Sequence, residues 1–431
     1  GDGDVWKCTV SGSNCWTASS GLVWTFVGGD ATGWTATTEI RSITTDGTTL
    51  WVTVPSQGVF SYNGSTWSSR WDGSSNTYPS SNSILADSTY VYYGNEQGTV
   101  VRDTIANNTD TNIGGHNINS SWGNKGMRRV TSLTNFNGYL YAATAGDDWY
   151  NSGNGWGAQI WRYDGSSWSV VYGNTPGAYI FQSICSMTVY KNKLYFYAHG
   201  NSIYKSIMYG MNTSNAISQV ESVITTDTTV DACAGMAVFN NELYFASAMN
   251  LKKYDGATVT TISDMSSVLQ CNGGASQMPA LAVYQNALYI GLLSGGGYSA
   301  FGPCLTQGKI LYKYTGSGSP SAVNGFTVSG AGSTADMFGV NSLAVHNNRL
   351  MVGTGSYGSG AVVSNNLSSV YSYDGVNSPT KIGGSGVNSS WTNDSGIQLL
   401  RSLVSYGNYL YAAVGDNDST QGQIWRYDSS A

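Results

Sequence analysis

The segment Gly146-Asp147-Asp148-Trp149-Tyr150 through Trp156 sets two carboxylates among three large aromatic rings. Such rings offer an apolar face to the C–H groups of a sugar while short polar side chains reach its hydroxyls, so this is the chemistry of a saccharide site. Tyr298 and Tyr357 stand in two further glycine-rich stretches, Gly295-Gly296-Gly297-Tyr298 and Gly353-Thr354-Gly355-Ser356-Tyr357. The candidate ligand-binding set is therefore Asp147, Asp148, Trp149, Tyr150, Trp156, Tyr298 and Tyr357. Asn119-Ser120-Ser121-Trp122 and its near copy Asn388-Ser389-Ser390-Trp391 hold similar residue types, with Trp34 in a comparable place, but their duplication points to a structural repeat feature.

Asp2 with Asp4, and Asp416 with Asp418, could supply the carboxylate oxygens that Ca²⁺ takes, although no segment has EF-hand spacing. Solvated turn residues are the plainer reading of both pairs, and calcium is the one cofactor weighed. Hydrolysis by a nucleophile needs a base beside a Ser or Cys, and His116, His199 and His346 lie in no such motif. His346 takes a place that other repeats fill with Tyr or Phe, which marks it as a structural substitute. Glycoside hydrolysis needs two carboxyl groups, one with a raised pKa; adjacent Asp residues on glycine loops lack the burial that raises it. No catalytic residue is assigned, and a glycoside hydrolase or lyase is the lesser alternative.

The six cysteines form no Cys-x-x-Cys and have no His nearby, which excludes metal-ligand spacing. Their positions suggest the disulfides Cys8–Cys15, Cys185–Cys233 and Cys271–Cys304, with six free thiols as the alternative. Disulfides imply an oxidising compartment and an extracellular or cell-surface location. A net charge of −6 with scattered Lys and Arg gives no basic stripe for nucleic acid. No run approaches the roughly 18 apolar residues of a membrane span. The chain opens on Gly-Asp-Gly-Asp and at once reads strand-like at Val5-Trp6-Lys7-Cys8, as expected after removal of a leader or a longer N-terminal region. Asn-x-Ser/Thr occurs at Asn63, Asn107, Asn119, Asn212, Asn366, Asn388, Asn393 and Asn417, about as often as composition alone predicts.

What must position these residues is a repeat. Asp46-Gly47, Asp87-Ser88, Asn137-Gly138, Lys191-Asn192, Asn240-Asn241, Gln285-Asn286, Asn347-Asn348 and Gly407-Asn408 each separate two short strands, a and b. Asn, Asp and Gly tolerate φ > 0, so each pair reads as a two-residue type I′ hairpin turn. A loop follows, then a second hairpin of strands c and d, as in Trp161-Arg162-Tyr163-Asp164-Gly165-Ser166-Ser167-Trp168; d often ends in Gly-Gly, as at Ile113-Gly114-Gly115. Repeats begin near 40, 81, 130, 184, 232, 278, 340 and 399, a period that suits four-stranded propeller blades. The expected fold is an all-β, eight-bladed propeller in one domain over 1–431, or seven blades if the weak Asp87-Ser88 copy lies outside the ring.

The Ile-Trp-Arg-Tyr-Asp-Gly-Ser-Ser-Trp repeat resembles those of bacterial secreted propellers, loosely the Asp-box (sialidase-type) and kelch-type families. The resemblance is one of architecture and carries over no catalytic residue; an Asp-box sets its Asp two residues before its Gly, whereas Asp164-Gly165 and Asp374-Gly375 are adjacent.

The last repeat stops after strand c, and residues 1–29 supply strand-like segments that would complete it and close the ring. One strand is then surplus, available as a fifth strand or for self-assembly by strand addition. In such a blade the a–b and c–d turns share one face, and the longer b–c loops and d–a crossings share the other, where binding usually evolves. The sequence thus implies an extracellular carbohydrate- or surface-binding propeller, a lectin-like adhesin whose partner is a glycan or cell-surface ligand. A structural subunit of an extracellular filament or surface layer is the alternative. If the cysteines pair, intact mass before and after reduction differs by the hydrogens of three disulfides; six free thiols in native material would overturn the extracellular assignment.

Overall fold

The computed structural model describes residues 23–29, 34, 40, 42–54, 58–70, 83–95, 98–122, 127–146, 158–173, 183–199, 205–224, 235–247, 250–265, 276–294, 309–326, 339–355, 368–384, 387–391, 399–415 and 422–428. These residues form eight four-stranded antiparallel sheets, the blades of an all-β propeller. The innermost strands of blades 1 to 8 are Ser42–Thr45, Ser83–Ala86, Met127–Phe136, Ser183–Tyr190, Met236–Phe239, Ser276–Tyr284, Val340–His346 and Leu399–Tyr406. Each lies against the innermost strands of both neighbours, and blade 8 meets blade 1, so the ring is closed. The weak Asp87-Ser88 copy is a full blade 2, with outer strands Tyr90–Gly94, Val100–Thr104 and Thr109–Gly114. Among the described residues no helix is long and apolar enough to cross a membrane.

Blade 8 takes its outermost strand from the other end of the chain. Val23–Gly28 pairs with Gln423–Asp428, with Val23 opposite Asp428 and Phe26 opposite Trp425. The second strands carry the core. Leu50–Val54 is buried throughout and Tyr409–Gly415 nearly so, because a strand between two blades has no solvent face. β-Branched and aromatic residues dominate these strands for that reason.

Two kinds of turn hold the hairpins. Six a–b turns are two residues long, as expected, and in five of them both central residues have positive φ, among them Lys191 (43°) with Asn192 (56°) and Asn347 (46°) with Asn348 (55°). Blades 1 and 2 differ from the expectation. Thr45 pairs with Leu50 and Ala86 with Val91, so their loops are four residues long and rest on a carboxylate. Asp46 Oδ1 accepts the amides of Thr48 and Thr49 at 2.7 and 2.8 Å, and Asp87 Oδ1 those of Thr89 and Tyr90 at 2.7 and 2.8 Å.

The c–d turns, expected to be as tight, use the same device. In Tyr163-Asp164-Gly165-Ser166-Ser167-Trp168 the Asp164 carboxylate accepts both following serine amides, and the Tyr163 hydroxyl donates to the Gly165 carbonyl at 2.8 Å. Asn63, Asp255 and Asp374 do likewise in blades 1, 5 and 7. The glycine is required by its φ, +98° at Gly165, since a Cβ there would meet nothing.

Those amide bonds hold the Asp164 and Asp255 carboxyls below the usual range; at Asp374 the Asn377 side chain leads, followed by two amides, and brings the group to about 2. A depressed folded pKa adds stability that is complete above pH ~4 and is lost as pH falls through the folded value. Since Asn63 holds the same turn without titrating, the variant Asp164→Asn, Asp255→Asn, Asp374→Asn should keep its neutral-pH melting temperature. Its loss of stability between about pH 4 and 2 should be shallower than in the parent; an unchanged acid slope would show that the turns do not contribute it.

Candidate functional site

Strand direction assigns the two faces. All a–b and c–d turns emerge on one, the hairpin face, and the b–c and d–a connections leave from the other. In blade 3, Thr144 pairs with Gln159, and the connection between them carries Asp147, Asp148, Trp149, Tyr150 and Trp156. Tyr298 follows Ala287–Ser294 of blade 6, Tyr357 follows Arg349–Thr354 of blade 7, and Asp416 and Asp418 follow Tyr409–Gly415 of blade 8. All of these side chains lie outside the described residues, as do Asp2, Asp4, the strand-like Val5–Cys8 segment, Cys8, Cys15, Cys233, Cys271 and Cys304. Cys185 lies within the inner strand Ser183–Tyr190 rather than before it. Blade 8 holds strands from both ends of the chain, paired from Val23 opposite Asp428 to Gly28 opposite Ile424, and Asp416 and Asp418 follow its strand Tyr409–Gly415 in sequence.

On the hairpin face, polar side chains tie several blades to the next. Tyr190 donates to the Asn241 carbonyl at 2.6 Å and Tyr284 to that of Asn348 at 2.7 Å, while Tyr406 reaches the Thr48 carbonyl across the ring closure. His346 stands where these tyrosines stand. It is 2% exposed, with Nδ1 2.9 Å from Ser405 Oγ of blade 8, and burial depresses its pKa against a weaker opposing pull from Asp428. It is a structural substitute, as its repeat position indicates. Between blades 1 and 2, Arg70 Nε donates to the fully buried Asp103 at 2.9 Å and its Nη2 to the Ile105 carbonyl at 2.8 Å. Burial raises the Asp103 pKa, with Arg70 pulling the other way. Between blades 4 and 5, the Lys252 ammonium meets Glu221, and Tyr197 is buried with its hydroxyl donating to the Ala246 carbonyl at 3.0 Å. Burial raises that phenol well above its ordinary pKa, so it stays a neutral donor. These groups hold the seams together.

Three seams share one further unit, in which the sequence shows the parts but not their relation. The indole N–H of Trp168 in blade 3 donates to the Ile113 carbonyl of blade 2 at 2.7 Å. Trp24 donates likewise to Ile382 of blade 7, and Trp67 to Val27 of blade 8. The ring lies on the glycine that follows the carbonyl: a Cβ at Gly114 would sit 3.0 Å from Trp168, at Gly383 2.8 Å from Trp24, and at Gly28 3.0 Å from Trp67. The Gly-Gly strand ends are therefore seats for a tryptophan.

The Asn-Ser-Ser-Trp copies complete this latch. Asn119 and Asn388 donate Nδ2 to the same Ile113 and Ile382 carbonyls, each at 3.0 Å. Ser121 Oγ accepts the Gly115 amide and Ser390 Oγ that of Gly384. Trp122 and Trp391 are 2% and 1% exposed, stacked edge-on against the latch and strand-c tryptophans. Trp34, 5% exposed, packs on Trp67 and Phe60. These three rings are core, not ligand sites.

No family model matches this sequence, and no curated protein matches it. Solved structures do. The computationally designed protein Ika8 has a TM-score of 0.50 at 12% identity, over 90% of this chain and 96% of that one. A structure from a study of two prolyl endopeptidases has a TM-score of 0.50 at 10% identity, over 89% of this chain and 55% of the other, so the chain spans about half its length. The extracellular domain of a one-component system from B. thetaiotaomicron has a TM-score of 0.49 at 11% identity, over 94% of this chain and 39% of that one. At 10 and 12% identity the first two likenesses show the propeller fold and nothing finer.

Trp168→Phe keeps one six-membered ring and removes the donor to a carbonyl that Asn119 still satisfies, together with part of the seated indole, so it should cost about 1–3 kcal/mol in urea unfolding. Trp168→Ala empties the seam and should cost about 3–5 kcal/mol. Equal stability of the Ala variant and the parent would show that the tryptophan does not latch blades 2 and 3.

Proposed function

We propose that this chain is an extracellular carbohydrate- or surface-binding propeller, lectin-like in action, that holds its ligand on the face carrying the b–c connections. The supporting observation is the division of labour between the faces. On the hairpin face the Asp164 carboxylate is bound to its own turn and the Tyr190 and Tyr284 hydroxyls to the neighbouring blades, and Trp34, Trp122 and Trp391 are buried in the seams. The b–c connections of blades 3, 6, 7 and 8 carry Asp147, Asp148, Trp149, Tyr150, Trp156, Tyr298, Tyr357, Asp416 and Asp418, which the hairpins do not need in order to form. Aromatic rings among short carboxylates suit saccharide hydroxyls and C–H faces. Calcium could join the ligand at Asp416 and Asp418.

A glycan array and an adhesion assay test this reading. Stacking of a base on an aromatic ring is worth about 1–3 kcal/mol, and sugar stacking is taken as similar or weaker. Trp149→Ala and Trp156→Ala should therefore weaken binding several-fold or more and leave the melting temperature nearly unchanged. Asn137→Ala on the hairpin face, where φ is +50°, should do the reverse, costing stability and no affinity. Normal binding by both tryptophan variants, or their unfolding, would defeat the assignment at this connection.

A further inference from the structure

We propose that the seams between blades 2 and 3 and between blades 7 and 8 carry two equivalent stacking platforms for an uncharged sugar ring. They rest on the carbohydrate-binding reading above but use different residues. In blade 3, Trp161 and Val170 are cross-strand partners on one face of the outer hairpin, so their side chains adjoin. Trp161 is half-buried and Val170 is 50% exposed, a large value for an apolar residue in a strand. The Trp161 indole is fixed in place: its N–H donates to Gln159 Oε1 at 2.9 Å, and Trp122 packs edge-on at 5.6 Å and 67°. Its one donor is used, so what it can offer a ligand is ring surface.

The border of this floor is polar. The short turn Ile118–Ser120 packs against strand d of blade 3, Trp168–Gly173, and leaves Asn119 and Ser120 exposed. Asn119 spends its Nδ2 on the Ile113 carbonyl, so the atom left for a ligand is Oδ1, an acceptor, next to the Ser120 hydroxyl. Positive φ at both residues, 50° and 60°, holds the turn in one shape.

Blade 8 repeats the arrangement. Trp425 is half-buried opposite Phe26, with ring centroids 5.4 Å apart; its N–H donates to Gln423 Oε1 at 2.8 Å, and Trp391 packs edge-on at 5.8 Å. The turn Val387–Ser389 borders it, with the Asn388 Nδ2 again spent and Ser389 exposed.

The chemistry selects the occupant. Arg162 and Arg426, next in sequence to the two tryptophans, lie over Tyr139 and Tyr409, away from these floors, so neither guanidinium is turned to draw an anionic ligand there. An apolar floor with short acceptors and hydroxyls at its edge fits a neutral hexose, C–H face down and hydroxyls to the border. The two platforms are three blades apart around the ring, so a polymer or a decorated surface can engage both and bind with avidity.

Calorimetric titration with maltohexaose, cellohexaose and chitohexaose tests this. In the Trp149→Ala, Trp156→Ala background, which removes the contribution of the b–c connection, at least one should bind at two sites per chain. Val170→Glu, a change at an exposed position that spares the latch, should retain the melting temperature and reduce the stoichiometry to one. Trp425→Ala in that background should remove the remaining site, with thermal unfolding reporting whether the ring survives. The proposal is overturned if the parent binds none of the three sugars, or if Val170→Glu binds with unchanged stoichiometry. Loss of binding on Trp149→Ala and Trp156→Ala with Val170→Glu unaffected would assign binding to the b–c connection and not to these seams.

Discussion

Every blade of this ring has two apolar faces, and neither can be left in water. A sheet with one wet face can stop at its edges, but a strand such as Leu50–Val54, buried at every position, needs a neighbour on each side. Stacking blades in a line would leave two terminal faces bare. Closing them into a ring leaves none, and pairing Val23–Gly28 with Gln423–Asp428 ties the closing blade by backbone hydrogen bonds between strands from the two ends of the chain.

Closure moves the problem to the seams, where twisted sheets must mesh at a fixed angle. Apolar packing fills them, but it is non-directional, and the orientation comes from bonds that cross from blade to blade. The Trp168, Trp24 and Trp67 latches set three seams through a carbonyl and a glycine seat. The seam between blades 1 and 2 uses a buried ion pair, Arg70 with Asp103, and adds the Ile105 carbonyl as a second acceptor for the guanidinium. Desolvating that pair offsets much of its attraction, so it defines geometry more than it adds stability. The seam between blades 7 and 8 has His346 on Ser405 as well as a latch.

This economy leaves the two faces unequal. Turns held by Asp and Asn carboxyl or amide oxygens, and by tyrosines reaching the next blade, make the hairpin face stiff and self-satisfied. The other face holds the connections whose lengths the hairpins do not constrain, which is why residues there can vary without cost to the ring. Between the faces, the outer hairpins of blades 3 and 8 hold tryptophans that are fixed by packing yet half-buried. A latch that must hold an aromatic ring at the rim also presents part of a second ring to solvent.

The sequence by itself determined what local physics controls. Asn, Asp and Gly at recurrent offsets mark the turns because they take up positive φ at little cost or, as Asn and Asp, accept amides two and three residues on, and eight such marks make eight blades. The incomplete last repeat determined that residues 1–29 supply the closing strand, which the structure places at Val23–Gly28, and the repeat position of His346 determined that it is structural. Local reading erred where two turn types share residues: Asp46-Gly47 and Asp87-Ser88 resemble two-residue turns, yet their carboxylates organise four-residue loops. Tertiary structure alone decided which rings Trp122 and Trp391 pack against, the purpose of the Gly-Gly ends, and the exposure of Val170 beside Trp161. Each depends on what lies across a seam, and the partners are far apart in the chain, 55 residues for Trp168 and Ile113 and 358 for Trp24 and Ile382. No periodicity reports a contact between different repeats, because the same tryptophan is buried or exposed according to the blade set against it.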